Sequence, residues 1–371
     1  MIRIMHILTD SNLGGAGHQL LALVEKRNSA NPGRFDISVV LPTGARLKPA
    51  LENKGIACIE LPYLAESSFS FRAIWTLLKT MKKYEPDIVH THAALSGRIA
   101  ARFYGKCKIV HTRHSVFEPP LWQTKFPIRN ILGCLNNRLS DVIIAVSPAA
   151  KDNLLTLGTS AKKIRVIFNG APPAKTFLQE EIAALREKYG ILKDIFVLAQ
   201  IARLTEVKGQ DYVLDAAKGL KNAIILMAGD GDSRNHLERR IKKEGINNVR
   251  LLGWIDAVEE ITAIMDIQIS ASFGTEATSM ALIQGMGVGK PAVVTDYGGN
   301  PYVIADGENG LVVPIHNAQA LKDAIIKLQN DPVLYAKMSI NARKIYAAQF
   351  TVEDMVSKTE KLYEDLCHGK N

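Results

Sequence analysis

Arg203 and Lys208 stand on one short stretch, "IARLTEVKGQ", directly after an apolar run. Two cations at the end of a strand can neutralise a diphosphate, whose departure during bond cleavage gathers negative charge; a solvated charged turn would have the same composition. Farther on, "SASFGTEATSMALIQGM" holds a single carboxylate, Glu276, and eight positions later an amide, Gln284. An acid among small residues suits the orientation of hydroxyl groups, because an ionised carboxylate only accepts hydrogen bonds. Near the start, "TDSNLGGAGHQLL" puts Gly14, Gly15 and Gly17 between an apolar run and a helical one. These glycines allow a tight turn and close approach to an anion at a helix N-terminus, or a plain strand-to-helix turn. The spacing is not that of the dinucleotide fingerprint.

Two histidine pairs, His90 with His92 and His111 with His114, fall at the ends of apolar runs. One member of each pair is expected in the core and the other at the strand end, with His114 the better placed to meet a ligand. No tight ligand spacing accompanies them, so no metal site is expected. Asp230 and Asp232 in "MAGDGDSRNHLE" could suggest a metal–diphosphate site. A strand-end turn with an Asp helix cap explains them more simply.

The elements that must position these residues follow from the hydrophobic pattern. Runs such as "IRIMHIL", "DISVVLP", "KIVHTRH", "IFVLAQIARL", "AIILMAGDG" and "PAVVTD" are apolar on both faces and separated by amphipathic stretches. That pattern predicts an α/β protein with two doubly wound parallel sheets covered by helices on both faces. Pro172 and Pro173 break it, placing one domain over 1–170 and another over 171–350. The segment 351–371 reads as a terminal helix with Thr351 as N-cap and acids in its first turn, returning to complete the first domain. Ligands of open α/β sheets sit beyond the carboxyl ends of strands, so all these motifs could meet in one interdomain cleft.

Residues 1–170 carry 23 Lys+Arg against 11 Asp+Glu, leaving 23 against 26 for the rest of a chain of net charge +9. The basic half suits an anionic partner, a membrane surface or a phosphorylated acceptor, or simply a solubilising surface. The basic residues are dispersed and no nucleic-acid reading module is present. Four scattered cysteines suggest buried free thiols, and no apolar run reaches the roughly 20 residues of a membrane span, which points to a cytoplasmic protein.

The ordered series "GGAGHQLLAL", "DIVHTHAALSGRIAAR", "IVHTRHSVF", "VIFNGAPP", "IARLTEVKGQDYVLDAA", "VRLLGWIDAVEEI", "GTEATSMALIQGM" and "GKPAVVTDYGGNP" resembles the retaining nucleotide-sugar glycosyltransferases of family 4, with the GT-B fold. The resemblance runs over nearly the whole chain. It implies two Rossmann-like domains facing a cleft, the first for the acceptor and the second for the nucleotide-sugar, and catalysis without a metal or other cofactor. His114, Arg203, Lys208 and Glu276 would be catalytic. Gly15, Trp254, Ile255, Thr278, Ser279 and Gln284 would meet the donor, most readily a UDP-sugar, and Asn12, Gly14, His92 and Arg113 would lie on the acceptor side. Gln284 stands where the family has a second glutamate for the ribose, a change expected to weaken nucleotide binding without abolishing it. Ala171–Pro173 and Tyr302 are milder departures. Thr278 and Ser279 can cap the following helix, turning its N–H groups toward the diphosphate.

The acceptor is expected to be lipid-linked or a saccharide. Phe117, Leu121, Trp122 and Phe126 interleave with Lys125, Arg129 and Arg138, and the helix around Lys79, Lys82 and Lys83 adds charge. This mixture suits peripheral contact with an anionic bilayer at its inner face, or packing under a domain. A non-catalytic nucleotide-sugar-binding subunit and a GT-B sugar-nucleotide epimerase are the competing readings.

Overall fold

The computed structural model describes residues 1–11, 14–30, 33–64, 69–172 and 174–369. Asn12 and Pro173 lie outside the described residues. The chain divides into two compact units, Met1–Ala171 with Val352–Asn371, and Pro172–Thr351.

In the first unit, β1 (Ile2–Leu8), β2 (Phe35–Pro42), β3 (Ala57–Leu61), β4 (Ile88–His92), β5 (Lys108–Arg113), β6 (Val142–Ala145) and β7 (Ile164–Val166) pair in the order β3-β2-β1-β4-β5-β6-β7. Every pairing is parallel. Alternation along β1 serves two cores. Ile4 and Leu8 pack with Leu20, Leu23 and Val24, whereas Met5 and Ile7 pack on the other face with Leu77 and Met81. Burial on both faces is why these strands carry few polar residues. The last helix, Val352–Cys367, has Glu353 and Asp354 in its first turn and buries Val352, Met355, Val356 and Tyr363 in the Ile4 core.

The second unit has β8 (Phe196–Ile201), β9 (Ala223–Ala228), β10 (Val249–Gly253), β11 (Ile267–Ser270), β12 (Ala292–Thr295) and β13 (Gly310–Val313), ordered β10-β9-β8-β11-β12-β13 and again parallel. Strand order reverses between β1 and β4 in one sheet and between β8 and β11 in the other. At such a reversal the chains leaving adjacent strands diverge, opening a crevice at their carboxyl ends.

The four thiols are free, but none is fully buried as expected. Cys58 and Cys107 are half-buried, and burial pushes their thiols up to about 11 and about 12. Cys134 and Cys367 are exposed, because each lies on the outer side of its helix.

Candidate functional site

At the reversal point of the second sheet, the loop leaving β8 and the loop leaving β11 meet. Arg203 is exposed at the start of the first loop, and Lys208 closes a single 3-10 turn, Glu206–Lys208. Two buried glutamines hold this backbone: Gln200 Nε2 donates to the Lys208 carbonyl at 2.8 Å and Gln210 Nε2 to the Arg203 carbonyl at 3.0 Å. Gly209, at φ 70°, rests against the chain after β11, where a Cβ would stand 2.0 Å from the Ala271 carbonyl oxygen. The loop is therefore pinned by backbone contact that no other residue type permits.

Glu276 is 8 % exposed. Its Oε2 receives Lys208 Nζ at 2.6 Å and the Ser272 hydroxyl at 3.3 Å. Thr275 before it adopts φ 55°, a left-handed conformation that is costly for a β-branched residue. The glycine pair of "DYGGNP" explains how this backbone is held. A Cβ on Gly298 would lie 2.0 Å from the Glu276 carbonyl oxygen, and one on Gly299 1.6 Å from that of Ala277. The Gly299 N–H donates to the Glu276 carbonyl at 3.0 Å.

Ser279 caps the helix Met280–Gly287, its Oγ accepting from the Leu282 N–H at 3.4 Å. Thr278 does not share this role: its hydroxyl turns back to the Ala277 carbonyl at 2.8 Å. Gln284 is half-buried on that helix. Trp254 is exposed, with Nε1 donating to Asp256, while Ile255 packs against the core beside β8 and β9. The Asp helix cap expected in "MAGDGDSRN" is not formed. The helix Arg234–Glu244 starts after Ser233, and Asp230 instead accepts from the Gly231 N–H and pairs with Arg234. Gly231 presses on the Leu204 carbonyl, so this turn backs the Arg203 loop.

At the first sheet's reversal point the helix after β1 begins at Gly15. The turn before it runs through residues 12 and 13, which lie outside the described residues. A Cβ on Gly14 would come 3.1 Å from Asp10 Oδ2, and one on Gly15 would meet nothing within 4 Å.

His111 is buried and His114 stands at the strand end as expected, but His90 and His92 depart from expectation for a simple reason: residues two apart on a strand face the same side. His90 and His92 both point into the protein, with rings stacked at 4.5 Å between centroids. His6 Nδ1 lies 3.1 Å from His92 Nε2, and His92 Nδ1 lies 2.9 Å from His114 Nε2. His90 bonds Thr112 Oγ1 at 2.6 Å and the Tyr363 hydroxyl from the last helix. His92 is thus removed from the acceptor surface expected for it and stands behind His114. His111 faces the other way, toward Thr91. Burial drives His92 and His111 far below the ordinary imidazole range and His114 down to about 4, so these three imidazoles are neutral near pH 7. His6, His90 and His92 offer ligand atoms within 4.8 Å of one another, as a metal ion would require. Both nitrogens of His90 and of His92 are instead engaged in the hydrogen bonds just given. Arg113 ends β5, donates to Asn153 Oδ1 at 3.3 Å and lies over the Phe117 ring.

Leu121, Trp122, Phe126, Ile131 and Leu135 are exposed rather than packed under the domain, and no helix among the described residues is long and apolar enough to cross a membrane.

Two parallel-sheet α/β units of this kind are the architecture of the GT-B fold. Residues 13–175 match the family described as Glycosyltransferase Family 4 and residues 181–345 that described as Glycosyl transferases group 1, and the chain belongs to the GT-B glycosyltransferases of the family 4 type. It is 26 % identical over 386 residues to the UDP-Gal:alpha-D-GlcNAc-diphosphoundecaprenol alpha-1,3-galactosyltransferase of Escherichia coli, covering 100 % of this chain and 98 % of that protein. It is 29 % identical to the N-acetyl-alpha-D-glucosaminyl L-malate synthase of Bacillus anthracis, over 76 % of this chain and 75 % of that one. Among solved structures, Anabaena Alr3699/HepE in complex with UDP-glucose superposes with a TM-score of 0.85 at 23 % identity, covering 98 % of this chain and 100 % of that one.

Proposed function

We propose that the chain moves a hexosyl unit from a nucleotide-diphosphate sugar, a UDP-sugar foremost, to a hydroxyl of a lipid-linked or saccharide acceptor with retention of configuration and without a metal. The second unit would take the donor and the first the acceptor, in the synthesis of a cell-envelope polysaccharide or glycolipid. The names of the relatives support an envelope acceptor, and the UDP-glucose bound by HepE supports the donor class.

The observation that carries this reading is the Lys208–Glu276 pair at 2.6 Å on the β8–β11 reversal point. With a donor present, Lys208 and the exposed Arg203 neutralise the diphosphate, and Glu276 accepts from hydroxyls of the sugar. The helix end capped by Ser279 adds N–H groups toward the phosphates. Trp254 and Ile255 border the base, and the Gln284 amide reaches the ribose with one accepting atom where a carboxylate offers two. Neutral His114 accepts from or donates to a sugar hydroxyl without adding charge. As the bond from the anomeric carbon to the diphosphate oxygen breaks, the acceptor oxygen bonds to the same face, and its proton passes to the departing diphosphate.

Nucleotide release from a panel of UDP-, GDP- and ADP-sugars tests this, with NMR of the product anomer reading retention. One donor is expected to turn over, with the rate falling about 10²- to 10³-fold in Glu276→Ala. Release from no donor, or equal release from the variant, would favour the non-catalytic subunit. Conversion of the sugar-nucleotide without transfer would favour the epimerase.

A further inference from the structure

We infer that Arg98 and Arg113, at the carboxyl edge of the first sheet, form a binding site for a phosphoryl group carried by the acceptor. The source assigned to that phosphoryl group rests on the transferase reading above; the site itself does not. Arg98 lies on the helix Leu95–Tyr104 after β4 and is 9 % exposed. Arg113 is the last residue of the neighbouring β5. Among the described residues neither guanidinium meets a carboxylate. Each is oriented by one amide oxygen, Asn136 Oδ1 for Arg98 at 3.0 Å and Asn153 Oδ1 for Arg113 at 3.3 Å. The amides are held in turn: Asn136 Nδ2 donates to Thr159 Oγ1 at 3.3 Å, and Asn153 Nδ2 to the Phe117 carbonyl at 2.6 Å. The Nε of both arginines is buried and has no acceptor.

This differs from how the same chain treats another poorly exposed arginine. Arg240 is surrounded by Asp211, Asp215 and Glu244. A guanidinium serving only the fold is neutralised in that way, since a buried charge is costly unless paired. Arg98 and Arg113 instead repel one another, and burial together with Arg113 pulls Arg98 down to about 10. Two forked cations with donors to spare, fixed by neutral amides, offer the positive charge and the N–H donors that a phosphoryl dianion accepts from.

Titration calorimetry on the full chain tests the site with inorganic phosphate and with phenyl phosphate as a phosphate ester. Both are expected to bind the wild type and Lys208→Ala, which removes the donor-side cation, with affinity falling at least 10-fold in Arg113→Gln and less in Arg113→Lys. Arg98→Gln should behave like Arg113→Gln if circular dichroism shows it folded; the Arg113 pair decides the matter otherwise. Equal affinity in wild type and Arg113→Gln, no binding by the wild type, or loss in Lys208→Ala would overturn the site. Binding of inorganic phosphate but not of the ester would overturn its assignment to the acceptor. A wild type that binds both phosphates yet releases nucleotide from no donor would leave the site standing and remove the transferase reading.

Discussion

The two sheet edges solve the same problem with different materials. In the second unit the reactive side chains are few and the backbone is clamped: Gly209, Gly298 and Gly299 press directly on carbonyl oxygens, and Lys208 and Glu276 are held as a consequence. In the first unit the side chains hold one another, through a column of hydrogen-bonded imidazoles from His6 to His114 and two arginines steadied by asparagines. A backbone clamp fixes an ion pair whose members can re-pair with a ligand. A side-chain lattice fixes tautomer and charge, and it is sensitive to protons.

Breaking the clamp should give the largest effect. Gly299→Ala puts a methyl group 1.6 Å from the Ala277 carbonyl oxygen, so the Glu276 loop must move. Donor turnover is expected to fall about 100-fold, since displacement by roughly an ångström costs that much, and unfolding of the second unit should come about 2 kcal/mol easier. Near-normal turnover in this variant would show that the glycine pair does not position Glu276.

Acid should break the other edge. The folded pKa of His114 lies near 4, below the ordinary 6.5, so the folded form resists protonation. Its contribution is complete above pH 6.5 and is lost as pH falls from 6.5 through 4, to the extent of about 3 kcal/mol. His92 and His111 shift in the same direction. Denaturant melts followed between pH 7 and 4 should weaken the first unit while the second changes less; parallel loss in both would contradict the contrast.

How much of this could be read from the sequence differs between the edges for the same reason. Arg203, Lys208 and Glu276 announce themselves by charge among small and apolar residues, and Ser279 as a cap follows from local rules. The clamp was legible only as a glycine pair of unknown purpose, because its partners, Glu276 and Ala277, lie more than a loop away along the chain. The histidine column was misread where strand period was overlooked. His6 and Arg98 were missed altogether, since a histidine inside "IRIMHIL" and an arginine inside "ALSGRIAAR" look like ordinary strand and helix members until β4 and β5 are placed side by side. The two doubly wound sheets were plain from the apolar runs, as burial on both faces leaves little room for another pattern.

The smallest expected effect concerns the outer surface, where the first unit exposes large apolar side chains beside cations. Arg138 is exposed near Phe126, Ile131 and Leu135. If this face touches an anionic bilayer, Arg138→Gln should reduce flotation with anionic vesicles about fivefold, the worth of about 1 kcal/mol. Equal flotation with neutral and anionic vesicles would remove the membrane contact.

The last helix has a bearing on how the molecule is made. Tyr363 is fully buried against His90, and Val352, Met355 and Val356 complete the core around Ile4. A ribosome finishing the first unit's sheet must still synthesise everything from Pro172 to Thr351 before supplying those residues. At 5–20 residues per second that is roughly 10–40 s with one apolar flank of the nascent sheet uncovered. The second unit, continuous in the chain, has no such wait, so it is the first unit that invites chaperone binding during translation.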